Sequence, residues 1–198
     1  MRKEKLEELK GYLEELKTIR KKQVEVDSSK KFLQSAVYDF TLSNGRTIRR
    51  EQLIKGTNNG SAVIVMPVLK NGEILTIIEP RVFTELGVGV GFPAGYVEKG
   101  EESSAAALRE LREETGYVPE EIIELASFYQ DEGCSSAFNR IYLGLNCRKM
   151  YDQDLDESEI VSYMTFTYDE LLELVNLGYI KGCNSLLALE KAKTYIKK

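Results

Sequence analysis

Apolar residues recur along this chain in three rhythms, and each predicts its own kind of element. Near the start, Leu6, Leu9, Leu13 and Leu16 stand three and four residues apart among Lys and Glu, the stripe of an amphipathic helix of about five turns. Two heptads are short for a coiled coil, so this helix reads first as lying on its own domain, with a coiled-coil seam as the alternative. Tyr38, Phe40 and Leu42 then alternate with polar or smaller residues up to Ser43-Asn44-Gly45, and residues 47–54 resume a strand-like run, which predicts a hairpin. Lys55-Gly56-Thr57-Asn58-Asn59-Gly60 breaks the pattern and divides the chain into an extension, 1–57, and a main domain, 58–198.

From residue 61 the apolar positions become nearly continuous. Ala62 to Leu69, an Asn71-Gly72 turn and Ile74-Leu75-Thr76-Ile77-Ile78 predict a buried hairpin. Gly87, Gly89, Gly91 and Gly95 follow, bracketing Phe92-Pro93-Ala94, and residues 103–115, rich in Ala, Leu, Arg and Glu, predict a helix capped by Ser103 or Ser104 and stopped by Gly116 and Pro119. Residues 122–129, 138–146 and 159–166 read as strands. Thr167-x-x-Glu170 is a capping box for a short helix ending at Gly178, and a last helix runs from about residue 185 to the C-terminus. This order predicts an α+β domain, a mixed sheet packed by helices.

Composition narrows the chemistry. Of 198 residues 42% are hydrophobic and 30% charged, enough for a sizeable core and unlike a collagenous or disordered chain. With 27 basic residues against 32 acidic ones the net charge is −5, which argues against a general nucleic-acid binder and leaves phosphate groups to local basic residues or metal ions. The chain has no histidine, so the usual general base, the Ser-His triads and the commonest zinc ligand are excluded. Cys134, Cys147 and Cys183 form no C-x-x-C pair, which suits a reducing cytoplasm better than a disulfide framework. No apolar run has the length of a membrane span, and residues 1–22 lack a signal-peptide core, so neither export nor a membrane partner is expected.

Carboxylates carry the candidate chemistry. On the 103–115 helix, Glu110 and Glu114 lie one turn apart on one face with Glu113 beside them. Like charges at that spacing repel unless a cation sits among them, and oxygen-only ligands select a hard divalent ion such as Mg²⁺ or Mn²⁺, commonly shared with substrate phosphates. Taken alone, Arg-Glu-Leu-Arg-Glu-Glu equally describes a solvated helix laced with ion pairs.

The wider spacing separates these readings. Gly95-x5-Glu101-x7-Arg109-Glu110-Leu111-x-Glu113-Glu114-x-Gly116-Tyr117 resembles the Nudix box, G-x5-E-x7-R-E-U-x-E-E-x-G-U with U a bulky aliphatic residue. Seven fixed letters match, a coincidence of about one in 10⁸ per start position at average composition. Tyr117 in place of the final aliphatic residue is a packing change. The resemblance implies a Nudix fold, an α/β/α sandwich of mixed sheet between helices, here with an N-terminal helix and hairpin. It implies Glu110 and Glu114 as ligands of Mg²⁺ or Mn²⁺, Glu113 as a further ligand or water-orienting group, and Arg109 as the residue that steers the carboxylates. It also implies support from Glu101 and a backbone carbonyl ligand at Ala94 or Gly95.

Outside the box, residues 41–189 resemble most the ADP-ribose pyrophosphatase branch. Glu79-Pro80-Arg81 and Phe92-Pro93-Ala94-Gly95 look like its Gln-x-Arg and Leu-Pro-Ala-Gly. That likeness makes Glu79 and Arg81 candidate substrate-binding residues, Arg81 reaching phosphates or else forming a surface ion pair. The acidic loop 154–159 resembles the late loop in which the branch keeps a catalytic glutamate, with Glu157 the first choice and Glu159 the second. Phe128, with Tyr129 and Phe138, stacks on a base or else belongs to the core. Three positions depart from the branch: Gly91 for Glu, Glu79 for Gln, and Asp131-Glu132-Gly133 for Ser-Pro-Gly.

The activity implied is divalent-metal-dependent hydrolysis of a nucleoside diphosphate linked to X, ADP-ribose or a nucleotide sugar, to a nucleoside monophosphate and a phosphorylated X. The alternatives are a nucleoside-triphosphate or dinucleotide polyphosphate hydrolase and, in another class, a catalytically silent nucleotide sensor. Branch resemblance also implies a homodimer formed through the N-terminal extension.

Overall fold

The computed structural model describes residues 18–27, 32–56, 58–85 and 87–196; the helix expected around Leu6 to Leu16 lies outside them. The chain divides into two compact units, residues up to Gly60 with Gln130–Ala137, and Ser61–Tyr129 with the remainder from Phe138.

The first unit is an antiparallel sheet of β1 (Thr18–Asp27), β2 (Leu33–Leu42) and β3 (Thr47–Lys55). The expected hairpin is present as β2 and β3. Its turn uses Gly45 at φ +82°, a conformation that needs glycine, and Asn44 Oδ1 accepts from the Arg46 amide at 3.0 Å. Strand β1 was not expected. Register shifts at Thr18/Arg20 and Gln23/Glu25 interrupt its period of two, and half its residues are charged, so the only alternation that marks it is the short Val24 and Val26 pair at its end. Gln130–Ala137 joins this unit through the Leu53 amide, which donates to the Cys134 carbonyl at 2.7 Å, and the Gln52 amide, which donates to Ser136 Oγ at 2.8 Å.

The second unit contains β4 (Ala62–Leu69), β5 (Ile74–Pro80), β6 (Val88–Gly91), β7 (Ala94–Tyr96), α1 (Ser103–Thr115), β8 (Tyr117–Val118), β9 (Glu121–Tyr129), β10 (Phe138–Lys149), β11 (Ser162–Phe166), α2 (Tyr168–Asn176) and α3 (Cys183–Ile196). Its sheet runs β11-β5-β4-β10-β8, with β6 on β5, β7 on β4 and β9 on β10. Strand β10 is parallel to β4 while the other pairs are antiparallel, which makes the sheet mixed.

The nearly continuous apolar run of β4 is explained by burial on both faces. Ile64 and Met66 belong to a core with Phe92, Tyr168, Leu171, Ile180 and Leu189, on the side of α2 and α3. Val63 and Val65 belong to another with Ala106, Ala107 and Leu111 of α1. Burying each such aliphatic side chain contributes about 1.5–3 kcal/mol, so the central strand alone anchors both layers of the α/β/α sandwich.

The buried hairpin is also present, but its strands part. They pair at Val68 and Ile74, after which β5 takes β6 and β11 while β4 takes β7 and β10. The chain crosses from β6 to β7 at Phe92-Pro93. There Phe92 is buried in the first core, and the Pro93 carbonyl accepts from the Val65 amide at 2.8 Å. This crossing delivers Ala94 and Gly95 to the face covered by α1.

Three boundaries differ from expectation. The N-cap of α1 is Glu102, without a side-chain capping bond, and Ser103 is already helical. Glu101 just ahead receives the Glu98 amide at 3.0 Å, so the entry to the helix is organised by that carboxylate rather than by a serine. Residues 159–161 precede β11 instead of beginning it, and β10 continues to Lys149. The Thr167–Glu170 capping box and the left-handed Gly116 beyond α1 form as expected.

Candidate active site

Helix α1 buries Ala107, Leu111 and Glu114, positions i, i+4 and i+7 of one stripe. A glutamate therefore stands where the helix rhythm calls for an apolar residue, and only 5% of it is exposed. Its Oε2 accepts the Ala94 amide at 3.1 Å. Glu110 lies against Gly95 so closely that any Cβ there would overlap its carboxyl group. The first glycine of the box is thus a cradle for the Glu110 side chain, and β7 presents both contacts from adjacent residues.

Arg109 spends all five N–H donors within this unit. Nε and Nη2 hold Glu101, each at 3.0 Å, Nη1 holds Glu110 at 2.8 Å and Glu113 at 3.1 Å, and Nη2 also reaches the Tyr96 carbonyl at 3.1 Å. Glu101 keeps its carboxyl below the usual range, chiefly because of that guanidinium. A planar fork fixes three carboxylates at once, which an ammonium cannot imitate. Arg109→Lys is accordingly expected to lower turnover about 10–100-fold with little change in far-UV circular dichroism, the range seen for residues that orient ligands. Wild-type turnover in that variant would remove the steering role.

Burial dominates the electrostatics of the helix face. It pushes the Glu114 carboxyl up to about 9, with the charges of Glu110, Glu79 and Glu159 adding to the effect and the Ala94 amide opposing it. Glu110 is also raised, first by burial and against the pull of Arg109. Glu79 is raised by burial, opposed by Arg81. Arg81 is ion-paired to Glu79 and half exposed, a surface pair whose carboxylate adds to the charge on Glu114.

The loop after β10 supplies the last carboxylate. It is fastened to the C-terminal end of α1, where the Gly116 carbonyl accepts from Met150 and Tyr151, and the Glu113 carbonyl from the Asp154 amide at 2.8 Å. It re-enters the sheet with Ser162 opposite Ile78, beside the end of β5. The charge of Glu159 there adds a last, small contribution to the burial that raises Glu79, Glu110 and Glu114. Glu157, the first choice from sequence, lies in a turn of the same loop, and both glutamates are exposed. Phe128 packs against the first core, on β9, and Tyr129 and Phe138 form a cross-strand edge contact at 4.9 Å. Sequence reasoning missed Gln153, which bonds the Glu114 carbonyl at the end of α1, and the Tyr96 carbonyl, which Arg109 reaches.

The donor set is oxygen only, and its buried carboxylates repel one another, as a hard divalent cation would relieve. With the Gly95 cradle, Glu110, Glu113 and Glu114 fit such an ion. Among the described residues no three acidic or thiol groups stand in ligand geometry.

This fold and this carboxylate helix define a class. The NUDIX domain family model matches residues 58–181, and the chain belongs to that family of pyrophosphohydrolases. Over 177 residues it is 34% identical to "ADP-ribose pyrophosphatase" of Bacillus subtilis (strain 168), covering 89% of this chain and 91% of that one. It is 32% identical to the "Methanol dehydrogenase activator" of Bacillus methanolicus over 181 residues, 91% and 94% of the two chains. A crystal structure described as an ADP compounds hydrolase superposes with a TM-score of 0.76 at 21% identity, covering 91% of this chain and 96% of that one, a likeness of fold. Among the described residues no helix is long and apolar enough to cross a membrane.

Proposed function

We propose that this enzyme hydrolyses the pyrophosphate bond of a nucleoside diphosphate linked to X, with ADP-ribose or a nucleotide sugar as substrate and a nucleoside monophosphate and phosphorylated X as products. The observation that carries the reading is the buried carboxylate face of α1, Glu110 cradled on Gly95 and Glu114 held on the Ala94 amide. The relatives named as an ADP-ribose pyrophosphatase and, in mouse, an ADP-sugar pyrophosphatase support the substrate class.

Glu110 and Glu114 would hold the ion, Mg²⁺ first and Mn²⁺ as the substitute, with Glu113 and a carbonyl of Ala94 or Gly95 completing the set. When bound, it supplies charge neutralisation on the phosphate oxygens and a lowered pKa for attacking water. Arg109 keeps Glu110 and Glu113 in fixed rotamers through the reaction. Glu159, on the loop beside β5, orients the water and accepts its proton; it is as exposed as Glu157, and is preferred because its charge, unlike that of Glu157, is among those acting on Glu79, Glu110 and Glu114. Arg81 leaves Glu79 to bind phosphate, a charge-assisted contact stronger than its exposed ion pair. We also propose a homodimer in a reducing compartment, in keeping with three free cysteines and the branch resemblance; a monomer by light scattering at micromolar concentration removes the dimer.

A substrate panel tests the reading: ADP-ribose, UDP- and GDP-sugars, diadenosine polyphosphates and nucleoside triphosphates, each with Mg²⁺, Mn²⁺ or chelator. Metal-dependent cleavage concentrated on ADP-ribose or nucleotide sugars is expected. Preference for triphosphates or dinucleotides would overturn the substrate class, and binding without turnover would favour the sensor. Because the ion must displace the Glu114 proton, its affinity should rise up to about tenfold per pH unit between pH 6 and 8. A metal titration flat in pH would contradict that displacement.

A further inference from the structure

The end of α1 is tied to the glutamate loop by one side chain. An α-helix leaves its last carbonyls without partners, and here they are answered in order. The Arg112 carbonyl accepts from the Gly116 amide at 2.7 Å, the Glu113 carbonyl from the Asp154 amide at 2.8 Å, and the Glu114 carbonyl from Gln153 Nε2 at 2.6 Å. Gln153 Nε2 also donates to the Val161 carbonyl at 3.1 Å. Both partners are acceptors, which fixes the amide with its NH₂ turned to them.

One NH₂ group thus joins the backbone of a candidate metal ligand to the root of the loop carrying Glu159. Residues 154–160 are drawn into a noose between Gln153 and Val161, and the Glu159 backbone amide is held inside it by the Asp156 carbonyl at 2.9 Å. The Glu159 carboxylate in turn accepts the Asp156 amide at 3.0 Å. A backbone bond, the Asp154 amide to the Glu113 carbonyl, also ties the start of the noose to α1; among the hydrogen bonds of the described residues Gln153 is its one side-chain link to the end of α1, and it joins that end to Val161 as well.

We propose that Gln153 is a positioning residue that sets the reach of Glu159 toward the carboxylates of α1, by clamping the noose to the Glu114 carbonyl. The inference rests on the proposed function only where it assigns Glu159 a role in turnover; the clamp itself does not depend on substrate. Length and donor chemistry are both required. Asn keeps the NH₂ but is one methylene short, whereas Glu keeps the length but would set a carboxylate against two carbonyls.

The test is Gln153→Ala, Gln153→Asn and Gln153→Glu, each made in the wild-type chain and with Glu159→Gln. Amide hydrogen exchange across residues 154–161 is read without substrate or metal, and kcat and KM for ADP-ribose are read with metal. Faster exchange confined to that loop is expected for Ala and Glu, with retained thermal melting and partial recovery in Asn. In the wild-type background kcat should fall about 10–100-fold, the range for residues that orient a site, while KM moves less than about threefold. With Glu159→Gln already present, Gln153→Ala should cost little more, because its effect passes through Glu159.

Unchanged loop exchange in Gln153→Ala overturns the clamp whatever the substrate proves to be. An equal loss of kcat in both backgrounds overturns the action through Glu159 and assigns Gln153 a general structural part. Should the protein turn over no compound of the panel while loop exchange still quickens, the proposed function fails and the clamp stands.

Discussion

Glu114→Gln is expected to fold, to lose turnover by about 10³-fold or more, and to shed a pH dependence of stability that the unliganded wild-type protein carries. The rate loss follows from removing a buried ligand whose ion supplies several kcal/mol of transition-state stabilisation, at about 1.4 kcal/mol per factor of ten. The stability effect has the opposite sign to the usual carboxylate. Glu114 has its folded-state pKa raised to about 9, so between its ordinary 4.5 and that value the folded chain binds a proton that the unfolded chain has released. Folding stability therefore falls as the pH rises through this window, by about 1.4 kcal/mol per pH unit from this group alone. Gln resembles the protonated acid in shape and remains neutral. Urea midpoints of the two proteins, measured without metal, should converge near pH 4 and diverge in favour of the variant toward pH 9. Parallel curves would show that Glu114 titrates normally, and unchanged turnover would exclude it as a ligand. Metal should also raise the wild-type midpoint more than that of the variant, since binding to the folded state alone adds stability by mass action.

Gly95→Ala is the second large effect, and it acts through a single methyl group. A Cβ at this position meets the Glu110 carboxyl group. Either Glu110 swings away, breaking its 2.8 Å bond to Arg109, or β7 moves from β4. Overpacking of this kind costs about 1–3 kcal/mol, and a ligand displaced by about 1 Å costs about 10²-fold in rate. Turnover should thus fall at least about 10²-fold while the melting temperature drops by a few degrees. Gly182→Ala is the control, because a Cβ there meets no atom within 4 Å. Equal, small effects of both substitutions would mean that Glu110 does not depend on its cradle.

Much of this site was legible because its residues are local in sequence. Glu110, Glu113 and Glu114 converge through helix geometry alone, and Arg109 is their neighbour on the same turn. Gly95 and Glu101 were legible through the resemblance, although only the contact of Gly95 with Glu110 gives the physical reason for glycine. The preference between Glu157 and Glu159 was not legible: two acidic residues two apart in a loop have no periodicity to distinguish them. The register of β11 on β5 and the fastening of the loop to α1 decide which one approaches Glu79. Phe128 shows the same limit, since a strand aromatic reads alike whether it stacks on a base or fills a core, and the sheet puts it against the core.

The two hairpins, the carboxylate helix, the strands after it and the capping box were legible in the sequence itself, because periods of 3.6 and two and turn residues are local properties, whereas the short strands β6, β7 and β8 have no such period. Tertiary structure alone decided the parting of β4 from β5, the bulged strand β1, the joining of Gln130–Ala137 to the first sheet, and the clamp of Gln153 on α1. Each of these depends on hydrogen bonds between residues distant along the chain. Their partners are chosen by which buried polar groups remain to be satisfied after the core has packed, and no pattern along the chain records that choice.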